Sequence, residues 1–285
     1  MSDVSIIIQG PLNEISLKNI PVYKKYGKVI VSCWNGYDEE LLRYIDDDVI
    51  FVCNDLMKVE HCNLKNVYYQ AFTMHAGLEM SETECSIKFR SDESYSNLDT
   101  FVKALNDNPS RIITGDFHFW DNWAAFHISD HAIGGKTKNL LETFGGVKTI
   151  CETTPSNVEL VIGRRTLGSS VLQPASPESL IMLFFLQQIN AINNILLFSI
   201  VTEEIKGKIF RIIVDEDISQ NTEELIKNHV RIVPTVCMGD VFLGGKGAKG
   251  MPSVYGRLIK SGSEELLCVQ AYGETFADIE IGCES

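Results

Sequence analysis

The chain predicts an α/β fold: a mostly parallel sheet with helices on both faces, followed by a less regular C-terminal part. Three observations carry that expectation. Apolar, β-branched runs alternate with helical stretches through the first half of the chain. Those runs are nearly continuous in apolar residues, as in strands covered on both faces. The chain has 285 residues, 45% of them hydrophobic, enough to bury a core without staples.

The elements follow in order. "VSIIIQG", residues 4–10, is a strand closed by the turn at Gly10-Pro11. A helical stretch follows, bent near Pro21 and stopped at Gly27. "KVIVSCW" is the second strand, "DEELLRYI" a helix with an acidic start, and "DVIFVCND" the third strand. Val67, Ala71, Met74 and Leu78 recur at helical spacing and lead to "CSIKF", the fourth strand. "NLDTFVKALND" is a helix with Asn97 as N-cap, and "RIITGDFHF" is a fifth strand. Later helices are expected near Pro177-Glu178 and at "NTEELIKNH", and a glycine-rich loop runs through "GGKGAKG". No repeat or linker divides the chain, which implies one domain over residues 1–285.

Charge and cysteine usage exclude several classes. The net charge is −13 with no dense basic run, which argues against a nucleic-acid partner. None of the eight cysteines forms a C-x-x-C pair, so a structural zinc site is not expected, and the chain reads as reduced and cytoplasmic. The apolar stretch at residues 180–201 is interrupted by Gln187, Gln188, Asn190, Asn193 and Asn194. It reads as a buried helix rather than a membrane span, with peripheral membrane association as its secondary role. His118, His127 and His131 match no zinc-ligand spacing. Neither a dinucleotide fingerprint nor a Walker A motif follows the first strand.

Candidate site residues come from strand ends, because ligands of parallel sheets bind beyond the carboxyl ends of the strands. These ends are Gln9-Gly10-Pro11, Trp34-Asn35-Gly36, Asn54-Asp55 and Arg90-Ser91-Asp92-Glu93. In "SIKFRSDES" the acids Asp92 and Glu93 suit Mg²⁺ or Mn²⁺, and Arg90 suits a phosphate. A metal so held would stabilise a departing diphosphate. The same residues also fit a solvated strand end closed by an Arg–Asp ion pair.

"VSIIIQGPL", "VIVSCWNG", "NVYYQ", Gly77-Leu78, "KFRSD", "HISDHAIGGKTKNL" and "PESLIMLFFL" together resemble the WavE-type lipopolysaccharide-synthesis glycosyltransferases over roughly residues 4–200. The resemblance implies a GT-A-like fold, in which residues 1–110 bind a nucleotide-sugar donor and residues 111–285 bind a glycan or lipid-linked acceptor. It implies a donor-binding turn at Gln9, Gly10 and Pro11, with Asp55 near the base or ribose. The metal-binding D-x-D of that fold aligns with Arg90-Ser91-Asp92 or Asp92-Glu93-Ser94, so its first acid is missing. An inverting enzyme also needs a base, for which Asp130 and Glu178 are the candidates; a retaining one does not. A sugar nucleotidyltransferase and a degenerate glycan-binding protein are the alternatives.

Overall fold

The computed structural model describes residues 4–55, 65–116, 128–166, 169–189, 199–215, 225, 228–244 and 258–263. Strand β1 (Val4–Gln9) leads into helix α1 (Glu14–Tyr23), then β2 (Lys28–Trp34), β3 (Ile50–Asn54), α2 (Lys65–Glu79) and β4 (Cys85–Arg90). The short strand β5 (Ser94–Tyr95), α3 (Asp99–Asp107), β6 (Ile112–Gly115), β7 (Ala132–Lys136) and α4 (Thr137–Thr153) follow. The remaining elements are β8 (Val158–Thr166), β9 (Ser169–Pro174), α5 (Pro177–Gln188), β10 (Ser199–Ile205), β11 (Lys208–Asp215), β12 (Val230–Val233), β13 (Val241–Phe242) and β14 (Leu258–Ile259).

The central sheet has seven strands in the order β12-β6-β7-β4-β1-β2-β3. The pairs β12–β6, β4–β1, β1–β2 and β2–β3 are parallel, while β7 runs antiparallel to both of its neighbours. The predicted mostly parallel α/β sheet is therefore present, with one inverted strand inserted. Alternation along β1 shows why helices cover both faces. Ile7 packs into a core with Ala71 and Met74 of α2, Phe144 of α4 and Leu183 of α5. Val4, Ile6 and Ile8 point the other way, onto Ile20 and Tyr23 of α1 and Phe101 and Leu105 of α3.

Local departures have local causes. The stretch expected as a helix after Asp38 is a 3₁₀ turn over Glu39–Tyr44 with no buried residue, so no packed face supports a full helix. Asp38 still caps it, accepting from the Glu40 amide. Asn97 lies one residue outside the cap of α3, yet its Oδ1 accepts the Asp99 amide at 2.7 Å. The apolar stretch after Pro177 is helical only to Gln188, and a strand occupies residues 199–205. No helix among the described residues is long and apolar enough to cross a membrane. The C-terminal half is more regular than expected, because it carries a four-stranded sheet, β10-β11-β8-β9, and a small one, β14-β13-β5. Cys33, Cys53 and Cys85 are free thiols, whereas Cys237 is disulfide-bonded, unlike the fully reduced chain expected. Most of "NTEELIKNH", the aromatic stretch 117–126, His118 and His127 lie outside the described residues.

Candidate active site

The order of the strands reverses at β1, which has β2 on one side and β4 on the other. A parallel sheet opens a crevice at such a point, beyond its carboxyl ends. Gln9 and Arg90 are register partners there, and the Ser91 amide continues the ladder by donating to the Gln9 carbonyl at 2.9 Å. The inverted strand β7 matters for the same reason. Phe89 pairs with Ala132, so the N-terminal end of β7 meets the carboxyl end of β4. Only an antiparallel neighbour delivers its preceding residues, Asp130 and His131, to that edge.

These ends enclose an open cleft of about 440 Å³. Its walls are Gln9, Gly10 and Pro11 from the first turn, Arg90, Ser91 and Asp92 from the fourth strand's exit, Trp34 from the second, and Asp130. Helix α2 adds Asn66, Tyr69 and Gln70. Gly10 has φ +130°, and a Cβ there would fall 2.5 Å from Ser91 Oγ, so both the backbone angle and the close approach require glycine. Gly244, the first residue of the glycine-rich stretch, lies directly over the Asp92 carbonyl, where any Cβ would clash. That stretch therefore starts at the site, although Lys246 and Lys249 lie outside the described residues.

A buried chain of charges lies behind the cleft. Lys88 is fully buried; its Nζ donates to the Asp130 carbonyl and lies 3.9 Å from Asp130 Oδ2. Gln70 Nε2 donates to Asp130 Oδ2 at 2.7 Å, and His131 Nε2 is 3.8 Å from Asp130 Oδ1. Burial alone would raise the pKa of Asp130, but Lys88, His131, Arg90 and the Gln70 hydrogen bond hold it well below the carboxylate range. Burial lowers the pKa of Lys88, and the Asp130 charge opposes that shift. Arg90 donates from Nε to Asp92 Oδ1 at 3.0 Å and from Nη2 to Oδ2 at 2.9 Å, a two-point clamp. Burial opposes the charged Asp92, but this clamp wins and lowers its pKa.

The predicted residues separate into two groups. Gln9, Gly10, Pro11, Arg90, Asp92 and Asp130 all lie on the cleft wall. Gln9 is anchored by Nε2 donating to Thr73 Oγ1 of α2 at 2.8 Å. Glu93 does not join them, which corrects its expected pairing with Asp92 around a metal. The strand stops at Arg90 and the chain turns, with the Glu93 amide donating to the Arg90 carbonyl at 3.3 Å. That turn sends the Glu93 carboxylate into the interior, fully buried, where it accepts from Tyr95 OH at 3.0 Å and lies 2.5 Å from His131 Nδ1. Arg90 Nε is 3.1 Å from the same carboxylate. Asp55 is likewise off the wall: it is exposed and accepts from Asn35 Nδ2 beyond β2 and β3. Glu178, in the first turn of α5, is also off the wall. Burial, and then the charge of Asp130, push its carboxyl up to about 7.

A divalent cation does not fit the carboxylates as arranged. Arg90 occupies both oxygens of Asp92, Glu93 faces inward, and Asp130 is held by Gln70 and Lys88. Among the described residues, no three His, Cys, Asp or Glu side chains are arranged to hold a metal.

The α2 wall was not predicted as site. Asn66, Tyr69, Gln70 and Thr73 are spaced to share one helix face, a polar stripe beside the apolar one. Two of them reach site residues directly, through the Gln70–Asp130 and Thr73–Gln9 bonds. Trp34 meets Tyr69 edge-on at 5.2 Å and stacks on Phe72 at 5.4 Å, which fixes the indole at the cleft.

No protein-family model matches the chain, and no curated protein matches its sequence. Solved structures show a distant likeness. A mannosyltransferase from Pyrobaculum calidifontis, solved with GDP-Man and Mn²⁺, aligns over 49% of this chain and 48% of its own length, at 13% identity and a TM-score of 0.34. HddC from Yersinia pseudotuberculosis aligns over 79% and 99%, at 12% identity and a TM-score of 0.36. A Bacillus anthracis structure with sucrose, assigned as a glucose-1-phosphate thymidylyltransferase, aligns over 54% and 77%, at 11% identity and a TM-score of 0.35.

Proposed function

We propose that this chain is a glycosyltransferase that moves a sugar from a nucleotide-sugar donor to a glycan or lipid-linked glycan acceptor. The observation that supports it is the cleft at the mouths of β1 and β4, where the Gly10 turn, Arg90 and Asp130 meet. A donor laid across those strand ends would set its diphosphate against the Gly10 turn and Arg90. The aromatic wall of Trp34 and Tyr69 offers a face for a flat ring. The sugar and the acceptor hydroxyl would then lie toward Asp130. The resemblance to WavE-type enzymes points the same way, to surface-polysaccharide synthesis in the cytoplasm with an acceptor presented at a membrane surface.

Asp130 is the proposed base, because geometry precedes pKa and the residue lines the cleft. Its ionised form is secured by Lys88 and Gln70. Glu178 has a pKa better suited to neutral pH but lies off the wall, close enough to Asp130 for the two charges to interact.

The test is a panel of nucleotide sugars mixed with the protein and an acceptor extract, scored by released nucleotide. We expect one donor to be consumed, and nucleotides of its base to raise the melting temperature. Asp130→Asn should lower kcat more than it weakens the donor. If no donor releases nucleotide and no nucleotide stabilises the fold, transfer chemistry is excluded. Pyrophosphate release from a nucleoside triphosphate and a sugar phosphate would instead identify a nucleotidyltransferase.

A further inference from the structure

We propose that Arg90, not a divalent cation, neutralises the donor's diphosphate, and that Asp92 and Glu93 are the positioning residues that aim it. The inference rests on a nucleotide-sugar occupying the cleft and states how that site holds its anion.

One edge of the Arg90 guanidinium is committed within the protein. Nε and Nη2 are committed to Asp92, and Nε also faces Glu93 in the interior. Nη1 hydrogen-bonds no described residue, and the side chain is 34% exposed on the cleft wall. An arginine held along one edge and open along the other is pre-organised for a second acceptor, since little rotamer freedom remains to be lost on binding. Glu93 is held in turn by Tyr95 OH and His131 Nδ1, while Asn19 Nδ2 fixes its carbonyl at 2.5 Å. The support therefore runs from the protein interior to the cleft: Tyr95 and His131 hold Glu93, and Glu93 faces Arg90 across an ion pair of 3.1 Å.

The competing occupant fares worse. A cation at Asp92 has to share both carboxylate oxygens with Arg90 and sit beside its like charge. Glu93 offers it nothing, because both of its oxygens are engaged in the interior. The other acid on the wall, Asp130, already has Lys88 at 3.9 Å as its countercharge. Each acid is thus matched within the protein, and the outer edge of Arg90 remains for a ligand anion. A second unspent donor lies beside it. Ser91 is 2% exposed, belongs to the cleft wall, and has an Oγ without a hydrogen-bond partner among the described residues. A buried hydroxyl left so is costly, and an acceptor arriving with the ligand would offset that cost.

The experiment is calorimetric titration of UDP, GDP, CDP and ADP into the full chain, in EDTA and again in Mn²⁺, for wild type, Arg90→Lys and Glu93→Gln. At least one diphosphate should bind in EDTA within about twofold of its affinity in Mn²⁺. Arg90→Lys keeps the charge but loses the planar fork, so it should weaken that diphosphate at least tenfold at an unchanged melting temperature. Glu93→Gln should weaken it less and leave the matching nucleoside unaffected. Its burial risks the fold, so Arg90→Lys decides. A requirement for Mn²⁺ overturns the inference and leaves the transferase proposal standing. Metal-free binding that Arg90→Lys does not weaken overturns it as well. Failure of every diphosphate under both conditions removes the nucleotide site itself, and the inference with it.

Discussion

Strands β1 and β4 bury polar side chains at both of their ends, and the two ends differ in kind. At the amino edge the groups are hydroxyls. Thr83 Oγ1 lies 2.8 Å from Ser5 Oγ and 2.7 Å from the Cys85 carbonyl, Ser81 Oγ lies 3.0 Å from Ser86 Oγ, and Ser86 Oγ lies 2.8 Å from Thr137 Oγ1. That network is neutral and closes on itself. At the carboxyl edge the groups are Lys88, Arg90, Asp92, Glu93 and Asp130, and the network ends on an open guanidinium edge in a cleft. Burying charge costs far more than burying hydroxyls. A fold needing only to satisfy its sheet ends has the cheaper solution at hand, and uses it at one end. The charged end is thus the costlier arrangement, in keeping with the site proposed there.

Mutations separate the two ends. The largest effect is expected from Asp92→Ala, which releases the clamp on a partly exposed arginine and so should abolish transfer while the melting temperature stays within a few degrees. Turnover near wild type in that variant takes Asp92, and the clamp, out of the site. Lys88→Met should act on stability instead. It leaves the buried Asp130 carboxylate without its countercharge, a loss of about 3–5 kcal/mol in urea unfolding. Adding Asp130→Asn should return part of that loss. If the double variant is as unstable as the sum of its parts, the two groups do not interact.

Glu178 gives the charged end a pH dependence that the hydroxyl end lacks. Its carboxyl is raised from 4.5 to about 7, so the folded chain holds this proton more tightly than the unfolded one. Its contribution is full below pH 4.5 and is lost as pH rises through about 7. The loss amounts to at most about 3 kcal/mol. Glu178→Gln removes the titrating group, so the difference in unfolding free energy between variant and wild type should grow in the variant's favour across that window. A difference that does not change with pH shows that Glu178 is not desolvated as the structure has it.

The sheet is legible in the sequence because its strands are written in composition: Val4–Gln9 and Lys28–Trp34 are apolar runs that fit only a two-sided interior. Helix α2 is legible for the matching reason, through Val67, Ala71, Met74 and Leu78. Strand direction is written nowhere in composition. Ala132–Lys136 reads "AIGGK", short and holding two glycines, and nothing in it shows that it runs against β4. That reversal is what brings Asp130 to the cleft. The fate of Glu93 is hidden for a similar reason. Adjacent acids in "RSDES" look equivalent until the chain turns after Arg90 and puts one on the wall and the other in the core. Asn66 and Gln70 are a subtler case: their spacing is visible, but a polar stripe on a helix reads first as its solvent face.

The smallest expected effect belongs to the amino edge and completes the comparison. Thr83→Val keeps the shape of the side chain and removes its hydroxyl, so Ser5 Oγ loses a neighbour at 2.8 Å and the Cys85 carbonyl one at 2.7 Å. The Thr83 carbonyl still accepts from Thr137 Oγ1 at 2.7 Å, so the turn into β4 stays tied. A neutral, partly buried hydrogen bond is worth about 1 kcal/mol, and the urea midpoint should fall accordingly. Nucleoside diphosphate affinity and turnover should not change, since no atom of this network reaches the cleft. A tenfold loss of affinity in Thr83→Val would mean that the two ends of β1 and β4 are mechanically coupled, and the division of labour between them would fail.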